Sequence, residues 1–339
     1  MTSYTVSTGG KLYIAGEYAI LKAGSKAIII FIPIKMTASI VPSAQIELSS
    51  DMFSHKAGIE SDSDYRLIQA CVQTIALLRK QPLEALAPFS LTISGKMEKD
   101  GKKFGIGSSG SVTVLTLKAL AAFYHLDLSA DLLFKLAAYT LLKQGDNGSM
   151  GDIACIAYED LVLYQSFDRE KIKAAINHLS FEELMSLDWE YAIHPIKREL
   201  PLHFLVGWTK VPAISKEMIT KVEDKLTPLF CQETQLAVEE CKEAIETNNK
   251  SLFVVALARI SDLLSQLDSS IYHPKLHDLK EAAQNLGAIA KSSGAGGGDC
   301  GIAFAFSDDM AKAIQNEWQE LEIETLYHDF WGKYDKSKK

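Results

Sequence analysis

Two glycine-rich segments carry the residue types in this chain that point most directly to chemistry, and that chemistry is phosphate handling. They are Gly105-Ile106-Gly107-Ser108-Ser109-Gly110-Ser111 and Gly294-Ala295-Gly296-Gly297-Gly298-Asp299. The first leads into Val112 to Tyr124, a stretch apolar on nearly every face, so it opens a helix buried on most sides. Unpaired amides in a first helical turn, together with the positive end of the helix dipole, attract anions, and glycines clear away side chains that would block a phosphate. Ser108 and Ser109 add hydroxyls that either ligate Mg²⁺ or cap the helix. Taken by itself, the loop serves equally well as a plain turn with a capping serine. It is not a Walker A loop, because no Lys-Ser/Thr pair follows the last glycine, and it lacks the acidic residue of a dinucleotide fingerprint.

The elements that must position these loops follow from periodicity. Phe89, Leu91 and Ile93 alternate with polar residues, predicting a half-buried strand that ends near Ser94, with a turn over Gly95 to Gly101 before the loop. Upstream, Ala27 to Val41 is a β-branched stretch interrupted at Pro33, Gln45 to Ser49 alternates, and Tyr65 to Arg79 has helical spacing. A helix is expected from about Asp131 to Gln144, with Ser129 as N-cap and Gly145 closing it. The Lys- and Glu-rich stretch from Ser166 to Leu187 separates this half from the next, giving domains at 1–187 and 188–339. In the second half, strands are expected at Tyr191 to Ile196, His203 to Thr209 and Gly301 to Phe306. Helices are expected near Glu233 to Thr247, Leu252 to Leu267 and Lys275 to Leu286, with a last one from Asp309. Strands and helices segregated in this way predict an α+β protein of two layered domains. The Lys-rich end, Lys333 to Lys339, reads as frayed.

Composition narrows the function classes. A chain of 339 residues exceeds what one core usually supports, and 47% apolar with 23% charged residues describes an ordinary soluble globular protein. There is no apolar run long enough to span a membrane, and Thr2-Ser3-Tyr4 opens no export signal, so a cytoplasmic enzyme without a membrane partner is expected. The net charge of −8 argues against a nucleic-acid partner. Five cysteines without CxxC spacing predict neither disulfides nor a zinc site. Cys300, beside the second glycine loop, reads as a small buried residue in preference to a catalytic thiol. His273 and His277 lie four apart, but Pro274 and the lack of an intervening Glu speak against a zinc helix.

Two further segments complete a pattern. Gly10-Lys11-Leu12-Tyr13-Ile14-Ala15-Gly16-Glu17-Tyr18 sets a lone lysine before an apolar strand, and Gly148-Ser149-Met150-Gly151-Asp152 follows a helix. The succession GKLYIAGEYAIL, FGIGSSGSV, GSMGDIA and SSGAGGGDCG resembles the GHMP kinase superfamily, with its three signature motifs in order from Lys11 to Gly301. The details are most similar to the bacterial branch that acts on phosphomevalonate. Those details are Lys102-Lys103 before the loop, Ser-Gly after it, Gly-Asp-Asn-Gly-Ser-Met-Gly-Asp at 145–152, and Gly207-Trp208-Thr209-Lys210 followed by Ser215. One departure bears on the metal: where mevalonate kinases usually supply a glutamate, this chain reads Tyr139-Thr140-Leu141-Leu142-Lys143.

The resemblance implies a two-domain GHMP kinase fold, a ribosomal protein S5 domain 2-like N-terminal domain and a ferredoxin-like C-terminal domain, with the site between them. It implies transfer of the γ-phosphoryl of ATP, with Mg²⁺, to (R)-5-phosphomevalonate in isoprenoid biosynthesis. Lys103 and residues Gly105, Ile106, Gly107, Ser108, Ser109, Gly110 and Ser111 would hold the nucleotide phosphates. Lys11 would bridge the two substrates and stabilise the transferring charge, and Asp152 would position Mg²⁺ or Lys11, with Ser109 as a second metal ligand. Ser149, Ser215, Gly294, Ala295 and Gly296 would hold the acceptor. Glu17 could pair with a lysine of the site or serve a structural pair. Asp299 reads as structural. Alternatives are a mevalonate kinase or another small-molecule member, or a catalytically silent metabolite sensor, as a monomer or homodimer.

Overall fold

The computed structural model describes residues 3–332, so the Lys-rich end at 333–339 lies outside the described residues. The first half comprises β1 (Tyr4–Ala15), β2 (Lys26–Pro42), β3 (Glu47–Ser50), α1 (Arg66–Leu78), β4 (Phe89–Ser94), β5 (Glu98–Lys99), β6 (Lys102–Lys103), α2 (Ser108–Phe123), α3 (Ala130–Lys143), α4 (Gly151–Tyr158), β7 (Leu161–Gln165), α5 (Arg169–Ile176), α6 (Phe181–Ser186) and β8 (Ala192–Pro195). The second half comprises β9 (His203–Trp208), α7 (Ser215–Val222), α8 (Pro228–Glu246), α9 (Lys250–Leu267), α10 (Pro274–Asn285), β10 (Ile289–Ser292), β11 (Cys300–Ala305), α11 (Asp308–Glu320) and β12 (Glu324–Phe330).

The long β2 organises the first sheet, in the order β3-β4-β2-β7-β8, with β1 also paired to β2. Its seventeen β-branched-rich residues do not break at Pro33; β2 instead bulges between Ile32 and Met36, opposite Thr8 to Gly10. A bulge tolerates the missing amide that a regular ladder would not. Behind the sheet, α2 is apolar on all sides because it is central, packing on α1, α3, α4, β1 and β2. The predicted cap of α3 is present: Ser129 Oγ accepts from Leu132 N at 3.1 Å. The polar stretch after Ser166 is no spacer, since α5 and α6 each bury one apolar residue, Ile172 and Leu184, against the first half. The strand expected at 191–196 is β8, which pairs with β7, so the first sheet runs past the 187/188 division expected from sequence.

The second sheet is fully antiparallel, in the order β10-β11-β9-β12. Numbered within this half, the order is 2-3-1-4, the ferredoxin-like arrangement. The helices α7–α10 fill its first crossover and α11 its second. Three elements here were not expected: α7, only eight residues long; β10, whose four residues include a lysine; and β12, which alternates only weakly. No described helix is long and apolar enough to cross a membrane.

Candidate active site

The four motif segments converge on one cleft of about 420 Å³ between the two halves, a size suited to small ligands. Lys11 reaches it from β1. Its backbone N–H donates to Ile106 O at 2.9 Å, which sews β1 to the glycine loop. The side chain is buried, crosses the Tyr13 ring at 5.0 Å and pairs with Asp152 at 3.2 Å. A methyl group added at Gly107 would lie 2.9 Å from Lys11 Cε and 3.1 Å from Asp152 Oδ2. The glycine therefore makes room for the lysine as well as for a ligand, and its φ of +84° independently favours glycine.

Gly105, Ile106, Gly107, Ser108, Ser109 and Gly110 all line the cleft, with α2 starting at Ser108 so that its free amides face in. Among the described residues, neither Ser108 nor Ser109 caps the helix; the N-cap position is Gly107, with no side-chain bond. Ser111 behaves otherwise. Its hydroxyl is buried and donates to Gly9 O at 2.8 Å and Gly107 O at 3.0 Å, so it ties the loop to β1 and offers nothing to a phosphate. Lys103 lines the cleft from the β5–β6 hairpin, held by Trp208 Nε1 donating to its carbonyl at 3.2 Å and by Phe104 packed edge-on against Trp208.

On the other wall, Ser149 Oγ sits 2.9 Å from Tyr13 Oη and accepts from Gly151 N at 3.2 Å, while Asp152 projects from the first turn of α4. Gly151 leaves no space for a side chain, since a Cβ there would stand 2.4 Å from Tyr13 Oη. Ser215, exposed at the start of α7, and Gly294 with Ala295 line the same cleft. Gly296 does not. It is buried and packs on Ile271, where a Cβ would meet the Ile271 carbonyl at 2.6 Å, so the loop has turned inward by that point. Cys300 is a buried residue whose thiol contacts Phe104 O at 3.1 Å, and burial pushes its pKa up, away from nucleophilic use.

Several cleft residues were not legible as such. Glu17 and Tyr18 line it, as do Asp146 and Asp299. The Asp299 carboxylate, expected to be structural, does accept from Ala213 N at 3.3 Å but also enters the cleft against Gly105, while its backbone binds Thr209 and Val211. Burial raises that carboxyl to about 6, opposed by the Ala213 bond and by attraction to Lys11 and Lys103. Because the folded value lies above the unfolded one, near ~3.9, the stability contributed by the neutral form is complete below that pH and is lost as pH rises through about 6. Asp299→Asn, which keeps an acceptor for Ala213, therefore gains stability relative to the parent between about pH 4.5 and about pH 7.5 in urea titrations. A difference that does not change with pH would contradict the placement.

A cleft lined by a glycine-rich helix start, between an S5-like and a ferredoxin-like half, defines a kinase class, and sequence comparison agrees: the GHMP kinases N terminal domain matches residues 66–160 and the GHMP kinases C terminal domain matches 241–323. The chain belongs to the GHMP kinase family. Within it, the chain is similar to phosphomevalonate kinases. The structure of the Streptococcus pneumoniae phosphomevalonate kinase in complex with phosphomevalonate and AMPPNP is 47% identical, with TM-score 0.94, covering 96% of this chain and 99% of that one. The phosphomevalonate kinase of Streptomyces sp. (strain CL190) is 28% identical over 87% of each chain. The mevalonate kinase of Methanocaldococcus jannaschii is 25% identical over 94% of this chain and 96% of its own.

Proposed function

We propose that this chain transfers the γ-phosphoryl of ATP to (R)-5-phosphomevalonate, forming (R)-5-diphosphomevalonate and ADP in isoprenoid biosynthesis, as a cytoplasmic enzyme. The observation that carries this is the near full-length likeness to the S. pneumoniae phosphomevalonate kinase. ATP phosphates would rest on the amides of the 105–110 loop, beside Lys103. The acceptor would lie towards Ser149, Ser215, Gly294 and Ala295. Lys11, against Gly107 and Asp152, would bridge the two groups, where a cation stabilises charge spread over the transferring oxygens.

The donor set also fits Mg²⁺. Asp152 offers a carboxylate and Ser109 a hydroxyl on the cleft wall, hard oxygen ligands of the kind that leave remaining positions to phosphates and water. When bound, the ion neutralises negative charge on the phosphate oxygens. Helix α3 adds no ligand. Thr140 is buried, bonded to Thr74 Oγ1 at 2.7 Å and Leu136 O at 2.8 Å, and Leu141 is the residue that reaches the cleft.

The acceptor is a phosphate monoester with a second pKa near ~6, already dianionic at neutral pH, so the transfer requires no strong base. Asp152 then serves to hold Lys11 and the metal. Asp152→Asn is expected to lower kcat by about 10- to 100-fold, less than loss of Lys11, because a positioning contact contributes less than the charge it positions. An Asp152→Asn enzyme slower than Lys11→Met would show proton removal to be limiting. The acceptor is tested by ADP release with phosphomevalonate, mevalonate, galactose and homoserine: turnover is expected with phosphomevalonate alone, and turnover with mevalonate in its place would move the acceptor assignment.

A further inference from the structure

None of the roles above falls on the turn Gly16-Glu17-Tyr18, although it carries the most unusual backbone near the cleft. Tyr18 has φ 62° and ψ −49°, and Ala19 N donates to Glu17 O at 2.7 Å. That is the rare form of the γ-turn, costly for a bulky residue and retained only where its surroundings hold it.

Its surroundings are residues 291–295 of the other half, the end of β10 and the turn after it. Lys291 Nζ pairs with the Glu17 carboxylate, Ser293 Oγ donates to Tyr13 O at 2.8 Å, and Tyr18 Oη donates to Ala295 O at 2.5 Å. Residues 291, 293 and 295 each bond to the N-terminal half, and Gly294 and Ala295 line the cleft where the chain turns after β10. The loop that follows cannot order itself with side chains. Gly294, Gly296, Gly297 and Gly298 all have positive φ, and glycine forfeits the most conformational freedom on being fixed. Its far end is tied down by Gly297 N donating to Ile271 O at 2.9 Å and by Asp299 N donating to Val211 O at 2.7 Å. The cleft-facing end hangs on Tyr18. Burial raises the Tyr18 phenol well above its ordinary value, so it remains a donor at any working pH.

We propose that Gly16-Glu17-Tyr18 is a strut between the two halves and that Tyr18, through Ala295 O, is a positioning residue that holds the acceptor loop in register with the phosphate loop. Tyr18 does not act on ATP, whose loop is sewn to β1 independently through Lys11 N and Ser111 Oγ. The acceptor assignment given above is its basis.

The test is Tyr18→Phe in the full chain, with the parent protein alongside. Expected are a rise of about 10-fold in KM for phosphomevalonate and changes within about 2-fold in kcat and in KM for ATP, since only acceptor placement loosens. Independently of turnover, amide hydrogen exchange across 293–298 is expected to quicken in the variant while α2 is unchanged. A merely structural role would move both KM values together or lower the midpoint of thermal unfolding with no selective loop exchange, and either pattern overturns the strut. A parent enzyme active on phosphomevalonate with a variant identical in KM and exchange also overturns it. A parent inert with phosphomevalonate removes the acceptor assignment and the kinetic claim with it.

Discussion

Lys11→Met is expected to lower kcat by about 10³-fold while leaving KM for ATP within a few-fold, because removing a preorganised charge from a phosphoryl-transfer site typically costs that much. The lysine is held from three directions: its amide bonds Ile106 O, its stem lies against Gly107, and its ammonium sits over the Tyr13 ring and pairs with Asp152. Nothing needs to reorganise as charge develops between the two phosphates. Methionine keeps a similar apolar stem, so the buried path of the side chain stays filled and folding is preserved. Steady-state ADP release with both substrates checks this, and a loss smaller than about tenfold would show that the charge contributes little to the transition state.

The second large effect concerns stability. Lys291 and Glu17 form an ion pair buried at 0% and 3% exposure, between β10 and the turn after β1. Taking one member away strands the other charge in a buried interface. Lys291→Met is therefore expected to lose about 3–5 kcal/mol of unfolding free energy, read from urea titration at neutral pH. The paired variant Glu17→Gln/Lys291→Met is expected to recover much of it, since replacing both partners removes the uncompensated charge. Lys291 also donates to Ser292 O at 2.6 Å, so recovery should be incomplete. A single variant as stable as the parent would contradict the buried pair.

How far the sequence disclosed this arrangement depends on the range of each interaction. The loop and helix at 105–123 were legible because glycines, serines and an all-apolar run are local signals, and Ser129 announced its cap in the same way. Which serine faces a ligand was not legible. Ser108, Ser109 and Ser111 share one turn, and only the fold shows that the third is turned back onto Gly9. Gly296 was misjudged for a similar reason, since a glycine clears space equally for a ligand or for Ile271. The amphipathic helices α5 and α6 passed for a spacer because each buries only one residue. Glu17 was read as pairing with a lysine, but which lysine, and the role of Tyr18, lay beyond local reading, because their partners are 274 and 277 residues away in the chain.

The central claim is that a phosphate, and not a hydroxyl, accepts the phosphoryl group. ³¹P NMR of the products from ATP, Mg²⁺ and phosphomevalonate tests it most directly. A new pair of mutually coupled diphosphate resonances, distinct from those of ADP, is the predicted result. Unchanged phosphomevalonate, or a product carrying two separate monoester resonances, would contradict it.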